Sequence, residues 1–281
     1  MGPSLLSFLP VFTEDVFLQY RPFPAEPTNF FVAHWHEILG SYVFYQTIQF
    51  LSPWFSTRFF GKSYTNLSPR TKINFDIHVV SMIQCIISIL VIIPMLNHPF
   101  YVNSLVDPKQ GILGYYPYGG FVGAITSGYF VWDTYVCLRY FHLFGWGFLF
   151  HGVAALYVFA STLVPFCLPW IPAFLLFELS TPFVNMNWFA SRLPSGVFSA
   201  KFVAINGILL MVTFFSVRII WGLYAVYLIA FDMYAVKDLV HPFFPLSILG
   251  LNFFLNILNI YWFYKMVLLA KKMASKSKKT D

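Results

Sequence analysis

The chain reads as long apolar runs separated by short polar breaks, without the alternation of strands or the single polar face of surface helices. Apolar residues dominate roughly positions 37–57, 75–97, 119–139, 144–162, 163–179, 203–230 and 244–269. A helix needs about 20 mostly apolar residues to cross a bilayer. The pattern therefore predicts an all-α, polytopic membrane protein with about seven transmembrane helices. The fifth run is short and carries Pro165, Pro169 and Pro172. Proline is tolerated in membrane helices where neighbours satisfy the freed carbonyls, so a broken or kinked fifth helix is expected. It continues into ELSTPFVNMNW, residues Glu178 to Trp188, an unusually polar stretch beside an apolar one. Pro182 disfavours α geometry at Thr181, so the helix should end or bend there and free backbone groups for Ser180 and Asn185 to bond.

Composition sharpens the class. Of 281 residues, 58% are hydrophobic and 10% charged, against about 25% charged in soluble domains. The net charge of +6 does not point to nucleic acid: five of the 17 basic residues sit in the tail, and no basic stripe accompanies stacking aromatics. Cys85, Cys137 and Cys167 lie inside apolar runs without CxxC spacing and read as small buried hydrophobes. The histidines show no HxxxH or HExxH spacing, so no metal site is expected, and the GxSxG elbow of a serine hydrolase is absent. His34, His36 and His142, near the ends of runs, receive no role, and Glu37 beside His36 would mark a lumenal-side polar site that no other residue in the sequence supports. A transporter is disfavoured because no repeat and no line of carboxylates through the bilayer is present.

Charge placement sets the orientation. Arg58, Lys62, Arg70, Lys72, Arg139, Arg192, Lys201, Lys271, Lys272, Lys276, Lys278 and Lys279 all fall on one side if seven runs cross. Only Arg21, Lys109 and Lys237 fall opposite, with Arg218 and Lys265 inside runs. By the positive-inside rule the C-terminus is cytosolic and the N-terminus lumenal. Residues 1–30 then form a lumenal or interfacial segment, 31–72 the first helix and its basic loop, and 271–281 a basic cytosolic tail. The sequon Asn66-Leu67-Ser68 lies on the cytosolic side. Lys278 and Lys279, fourth and third from the end, resemble the dilysine signal through which coat proteins return membrane proteins to the endoplasmic reticulum.

Charged groups at bilayer depth cost at least about 2.5–3.5 kcal/mol each and are functional candidates. Asp133, His151, Glu178 and Asn206, with Arg218 deeper in the same run as Asn206, come from four runs and fall toward the cytosolic half, which implies a polar cavity in a bundle. Asp133 either neutralises Arg218 or serves a ligand; His151 with a carboxylate nearby suits proton or acyl transfer.

Five ordered motifs carry a family resemblance: HVVSMIQCIIS, SGYFVWD, LFHGVAALY, FELSTPFVNMNWF and KFVAINGILLMVTFFSVRI. Together they resemble the TLC-domain family and, within it, the subgroup of TLC domain-containing protein 4. The resemblance implies a TLC domain over 73–270, with six helices around a lipid-accessible cavity that Asp133, His151, Glu178, Asn185 and Arg218 line or support. It also implies an endoplasmic-reticulum protein of lipid homeostasis that binds, senses or modifies a membrane lipid, with no resident cofactor. The alternative is a lipid acyltransferase with His151 as base and acyl-coenzyme A among its possible substrates. Ceramide synthases of this family carry an adjacent histidine pair. Here Gly152 stands at the second position, so a ceramide synthase-like activity is not expected.

Overall fold

The computed structural model describes residues 8–277, and all regular secondary structure among them is helical. Lys278 and Lys279 lie outside the described residues. The long elements are α1 (Phe30–Phe60), α2 (Pro69–Ile92), α3 (Pro117–Arg139), α4 (Phe141–Ser161), α5 (Thr181–Arg192), α6 (Ala200–Phe214), α7 (Trp221–Ala235) and α8 (Phe243–Ser277). Local chemistry sets the ends. Side chains of Asn29, Ser68 and Ser199 accept from the backbone N–H groups of Val32, Thr71 and Phe202, capping α1, α2 and α6. Pro69 and Pro117 sit in first turns, where their missing N–H costs nothing. Gly61, at φ 52°, stops α1 in a conformation that a side chain would strain.

By length and composition, four stretches among the described residues suffice to cross a membrane: Pro69–Met95, Phe141–Ser161, Ala200–Ala235 and Phe243–Lys272. Helices α1 and α3 have the length but carry more polar side chains. Those of α3 are shielded because most of the helix is buried between α1 and α4. Outward-facing residues such as Phe50, Phe59 and Trp146 are more than three-quarters exposed, as a lipid-facing surface requires.

The chain runs back and forth between two ends of the bundle. Gly120 meets His34 and Gly128 meets Ile38 and Ser41, so α1 and α3 run parallel, their backbones brought together by glycine. Helix α2 returns antiparallel: Tyr64 reaches Asp76 near its start, while the Tyr118 hydroxyl donates to the Val91 carbonyl near its finish. Helix α8 runs antiparallel to α4, with Tyr157 bonded to Ser247 at one end and Phe148 stacked on Trp262 at the other. Helix α5 runs antiparallel to α2, with Asn185 on His78 and Phe189 on Phe75, and Asn206 ties α6 back to α5. Arg58, Arg70, Arg139, Arg192, Lys201 and Lys271 therefore gather at one end. Residues 8–29 cover the other end, where the Tyr118 N–H donates to the Thr13 carbonyl and Phe17 stacks on Phe121.

The fifth run is broken, and more thoroughly than a kink. After α4 the chain turns through residues 162–167, with Cys167 left-handed at φ 61°. A 3-10 turn follows at Leu168–Trp170, then one α turn at Ile171–Leu175 and a second 3-10 turn at Leu176–Ser180. The three prolines deny the segment a continuous helical ladder. Its irregular backbone is shielded by protein: Leu163, Leu168, Ile171, Ala173 and Leu175 are at most 2% exposed. Cys167 N–H donates to the Ile112 carbonyl, and Trp221 Nε1 to that of Ala173. Irregular backbone survives at membrane depth only under such cover. One expectation fails locally. Thr181 has α geometry, φ −65° and ψ −36°, despite the proline after it. Pro182 sits in the first turn of α5, and the bend falls in the 3-10 segment instead.

Candidate functional site

Four sequence-predicted residues converge inside the bundle. Arg218 lies in a π-helical turn, Phe215–Ile220, that joins α6 to α7, and it is 8% exposed. A π turn inserts an extra residue into the helix and redirects the side chains around it. The guanidinium donates from Nε to Ser180 Oγ at 2.9 Å and from Nη2 to Thr181 Oγ1 at 3.1 Å. It also lies over the rings of Phe214 and Phe177. Thus ELST holds the buried arginine through its two hydroxyls.

No carboxylate lies within ion-pair distance of Arg218 among the described residues, so the Asp133–Arg218 pair that the sequence left open does not form. Glu178 is nevertheless within electrostatic reach of Arg218 and of Asp133, and Arg218 is within reach of His151. Tyr129 sits in the field of both carboxylates. Asp133, Glu178 and His151 make no side-chain hydrogen bond among the described residues. His151 rests edge-on to Phe130 and Trp262. The arrangement is a group of uncommitted acceptors and one cation in an otherwise apolar bundle.

Gly152 has a structural reason. A Cβ there would stand 2.8 Å from Asp133 Oδ2 and 3.3 Å from Thr134 Oγ1. Any side chain at this position would start against the Asp133 carboxylate, which would have to shift.

Asn185 and Asn206 support the site without facing it. Asn185, 1% exposed, accepts from His78 Nδ1 at 2.7 Å and donates to Ser81 Oγ at 3.1 Å, fastening α5 to α2. The expectation that it bonds freed backbone is thereby corrected. Asn206 donates to the Phe183 carbonyl at 3.0 Å and ties α6 to α5. Ser180 does bond backbone, donating to the Phe177 carbonyl.

Two cavities are described, and neither is walled by these residues. The larger, about 1060 Å³, opens at the end away from the basic residues, between Leu18, Arg21, Phe30, Tyr115, Leu163 and Pro165. The smaller, about 500 Å³, lies between residues 11–17, Tyr118 and Phe121.

Beside them sits a group that sequence reasoning, which singled out Glu37 alone, did not assemble: Asp15, His34 and Glu37, whose ligand-type atoms all lie within 4.8 Å of one another. Burial, reinforced by Glu37, pushes the Asp15 carboxyl above the usual carboxylate range. The i, i+3 spacing of His34 and Glu37 puts both on one helix face and was readable. The arrival of Asp15 from the N-terminal segment and of Tyr115 from a loop was not.

The TLC domain matches residues 74–268 of the chain. Over 252 residues the chain is 40% identical to topoisomerase I damage affected protein 4 of Saccharomyces cerevisiae, covering 88% of each. It is 38% identical over 247 residues to an uncharacterized TLC domain-containing protein of Schizosaccharomyces pombe, covering 88% of this chain and 82% of that one. It is 31% identical over 233 residues to TLC domain-containing protein 4 of Homo sapiens, covering 81% of this chain and 85% of that one. No solved structure matches. A match of this length, with relatives aligned along most of both chains, makes the protein a member of the TLC-domain family, membrane proteins generally linked to lipid metabolism.

Proposed function

We propose that the protein binds a membrane lipid inside its bundle and so acts in lipid homeostasis of the endoplasmic-reticulum membrane. The observation that carries this reading is Arg218: a buried cation held by two hydroxyls, with no carboxylate in ion-pair contact among the described residues. A buried charge left without a counter-ion is costly, and a guanidinium pairs well with phosphate or carboxylate oxygens. A lipid headgroup entering from the basic end would supply them, while Asp133 and Glu178 would accept from its hydroxyl or amine donors. Aromatic and aliphatic side chains of α4, α6 and α8 suit the acyl chains. The membrane orientation is N-terminus lumenal and C-terminus cytosolic, with Lys278 and Lys279 recruiting coat proteins for retrieval.

The acyltransferase alternative finds less support. A catalytic histidine is normally oriented through its second nitrogen, and no carboxylate is bonded to His151 among the described residues.

The test is mass spectrometry of lipids co-purifying with the full chain in mild detergent. A stoichiometric lipid is expected, retained in His151→Ala and lost when Asp133 and Arg218 are both changed to alanine. Equal lipid content in the double variant would sink the assignment. Turnover of an acyl donor that disappears in His151→Ala would install the enzymatic reading in its place.

A further inference from the structure

We propose that Asp15, His34 and Glu37 form a binding site for a divalent transition-metal ion at the end of the bundle opposite the basic one. His34 and Glu37 stand one turn apart on α1, facing inward, and are 0% and 6% exposed. Asp15 is brought over them by the N-terminal segment, its own Oδ1 accepting from the Phe17 N–H at 2.8 Å. That bond leaves Oδ2 directed at the imidazole, 3.6 Å from His34 Nδ1. On the other side Glu37 Oε2 lies 2.6 Å from the same nitrogen.

Two oxygens in this cluster are buried without a hydrogen-bond partner: Asp15 Oδ2 and Glu37 Oε1. Buried polar atoms in native proteins are nearly always satisfied, and both orphans belong to carboxylates sharing one imidazole. Arg21, the nearby guanidinium, is committed to the carbonyls of Pro24, Ala25 and Ala33. A dication would balance both carboxylates and take up their free oxygens.

The donor set suits the ion. Imidazole with carboxylates selects zinc, manganese or iron(II) over calcium or magnesium, which prefer all-oxygen shells. Ligands about 2.0–2.2 Å from a tetrahedral ion stand about 3.3–3.6 Å apart. The Asp15–His34 separation already fits, and Glu37 can present its free Oε1. His34 Nε2 is 2.8 Å from the Tyr115 hydroxyl, and Tyr115 is itself stacked on Phe30. An ion at Nδ1 would replace the 2.6 Å contact with Glu37 Oε2 and keep the ring proton on Nε2, donated to the Tyr115 hydroxyl, the outer-shell arrangement typical of metal-bound histidine. Asp15 also borders the 500 Å³ cavity.

The competing account is a proton shared between the two carboxylates, and metal analysis separates the two. Full-length protein, purified without chelator and equilibrated with zinc, is expected to retain about one ion per chain. EDTA should lower its thermal midpoint, and added zinc should restore it. The double substitution Asp15→Asn with Glu37→Gln should abolish both effects, and Tyr115→Phe should weaken affinity by about 10–100-fold. His151→Ala should leave metal content unchanged, because that histidine lies elsewhere in the bundle. If the wild-type chain retains no zinc after equilibration and its midpoint ignores EDTA, the site is a proton-sharing pair and the proposal is wrong. That outcome is independent of how the amide variants fold, and it leaves the lipid reading untouched.

Discussion

Single atoms decide the N-terminal end of the bundle. A Cβ at Gly120 would run into His34 Nε2 and stand 3.0 Å from the Tyr115 ring. His34 is fully buried and held from both sides by Glu37 and Tyr115, so its ring has nowhere to move. Gly120→Ala should therefore cost about 1–3 kcal/mol, the range for an overpacked core. Gly207 is the control. It lies within α6, and a Cβ there would meet nothing within 4 Å. Gly207→Ala should be neutral or stabilising by up to about 1 kcal/mol, since alanine is the better helix former. Thermal unfolding of both variants in one detergent checks the contrast; a Gly120→Ala midpoint equal to that of wild type would mean the close approach of α1 and α3 relaxes freely. Gly152 is a softer case, because the atom in its way is the end of the Asp133 side chain.

At the scale of elements, the polar stretch after the broken run is a clamp. Ser180 and Thr181 hold Arg218 on the π turn, while Asn185 reaches back to α2 through His78 and Ser81. His78 is also stacked on Trp188 of α5, 4.3 Å between ring centroids. Asn185→Ala would leave the His78 nitrogen and the Ser81 hydroxyl without this partner. A loss of about 1–3 kcal/mol follows, the cost of orphaning a buried polar group. Ser191→Ala, at an exposed position of the same helix whose hydroxyl bonds only its own backbone, should change stability little. Equal midpoints for the two variants would show that α5 is not fastened at Asn185. The sequence made the clamp's residues conspicuous, because polar groups next to an apolar run demand partners. It misplaced their partners for a physical reason. Pro182 raises the cost of α geometry at Thr181 without forbidding it, and packing against α2 and the π turn overrides that local preference. Arg218 was likewise visible as a charge at bilayer depth, but its choice of hydroxyls over Asp133 depends on the π turn, which no local pattern announces. Asp15 is the opposite case: nothing in the sequence around it links a loop carboxylate to a helix face some twenty residues later.

For the whole molecule, the arrangement of helices turns a pattern of charges into a statement about orientation. Parallel α1 and α3, antiparallel α2, and α8 antiparallel to α4 bring Arg58, Arg70, Arg139, Arg192 and Lys271 to one end of the bundle. Arg21, Lys109 and Lys237 stand at the other. Basic loops stay on the cytosolic face during insertion, so the bundle should sit with the Asp15–His34–Glu37 group toward the lumen and Arg218 reached from the cytosolic half. The sequon at Asn66, between α1 and α2, is a built-in reporter, because glycans are added only in the lumen. In translation with microsomes, Asn66 should remain unmodified, whereas an acceptor tripeptide placed in an N-terminal extension should gain a glycan. Sensitivity of each product to a deglycosylating enzyme reads the result by gel mobility. A glycan on Asn66 would invert the protein in the membrane. The basic tail with Lys278 and Lys279 would then face the lumen, where coat proteins could not reach it, and the lipid headgroup would have to approach Arg218 from the lumenal leaflet.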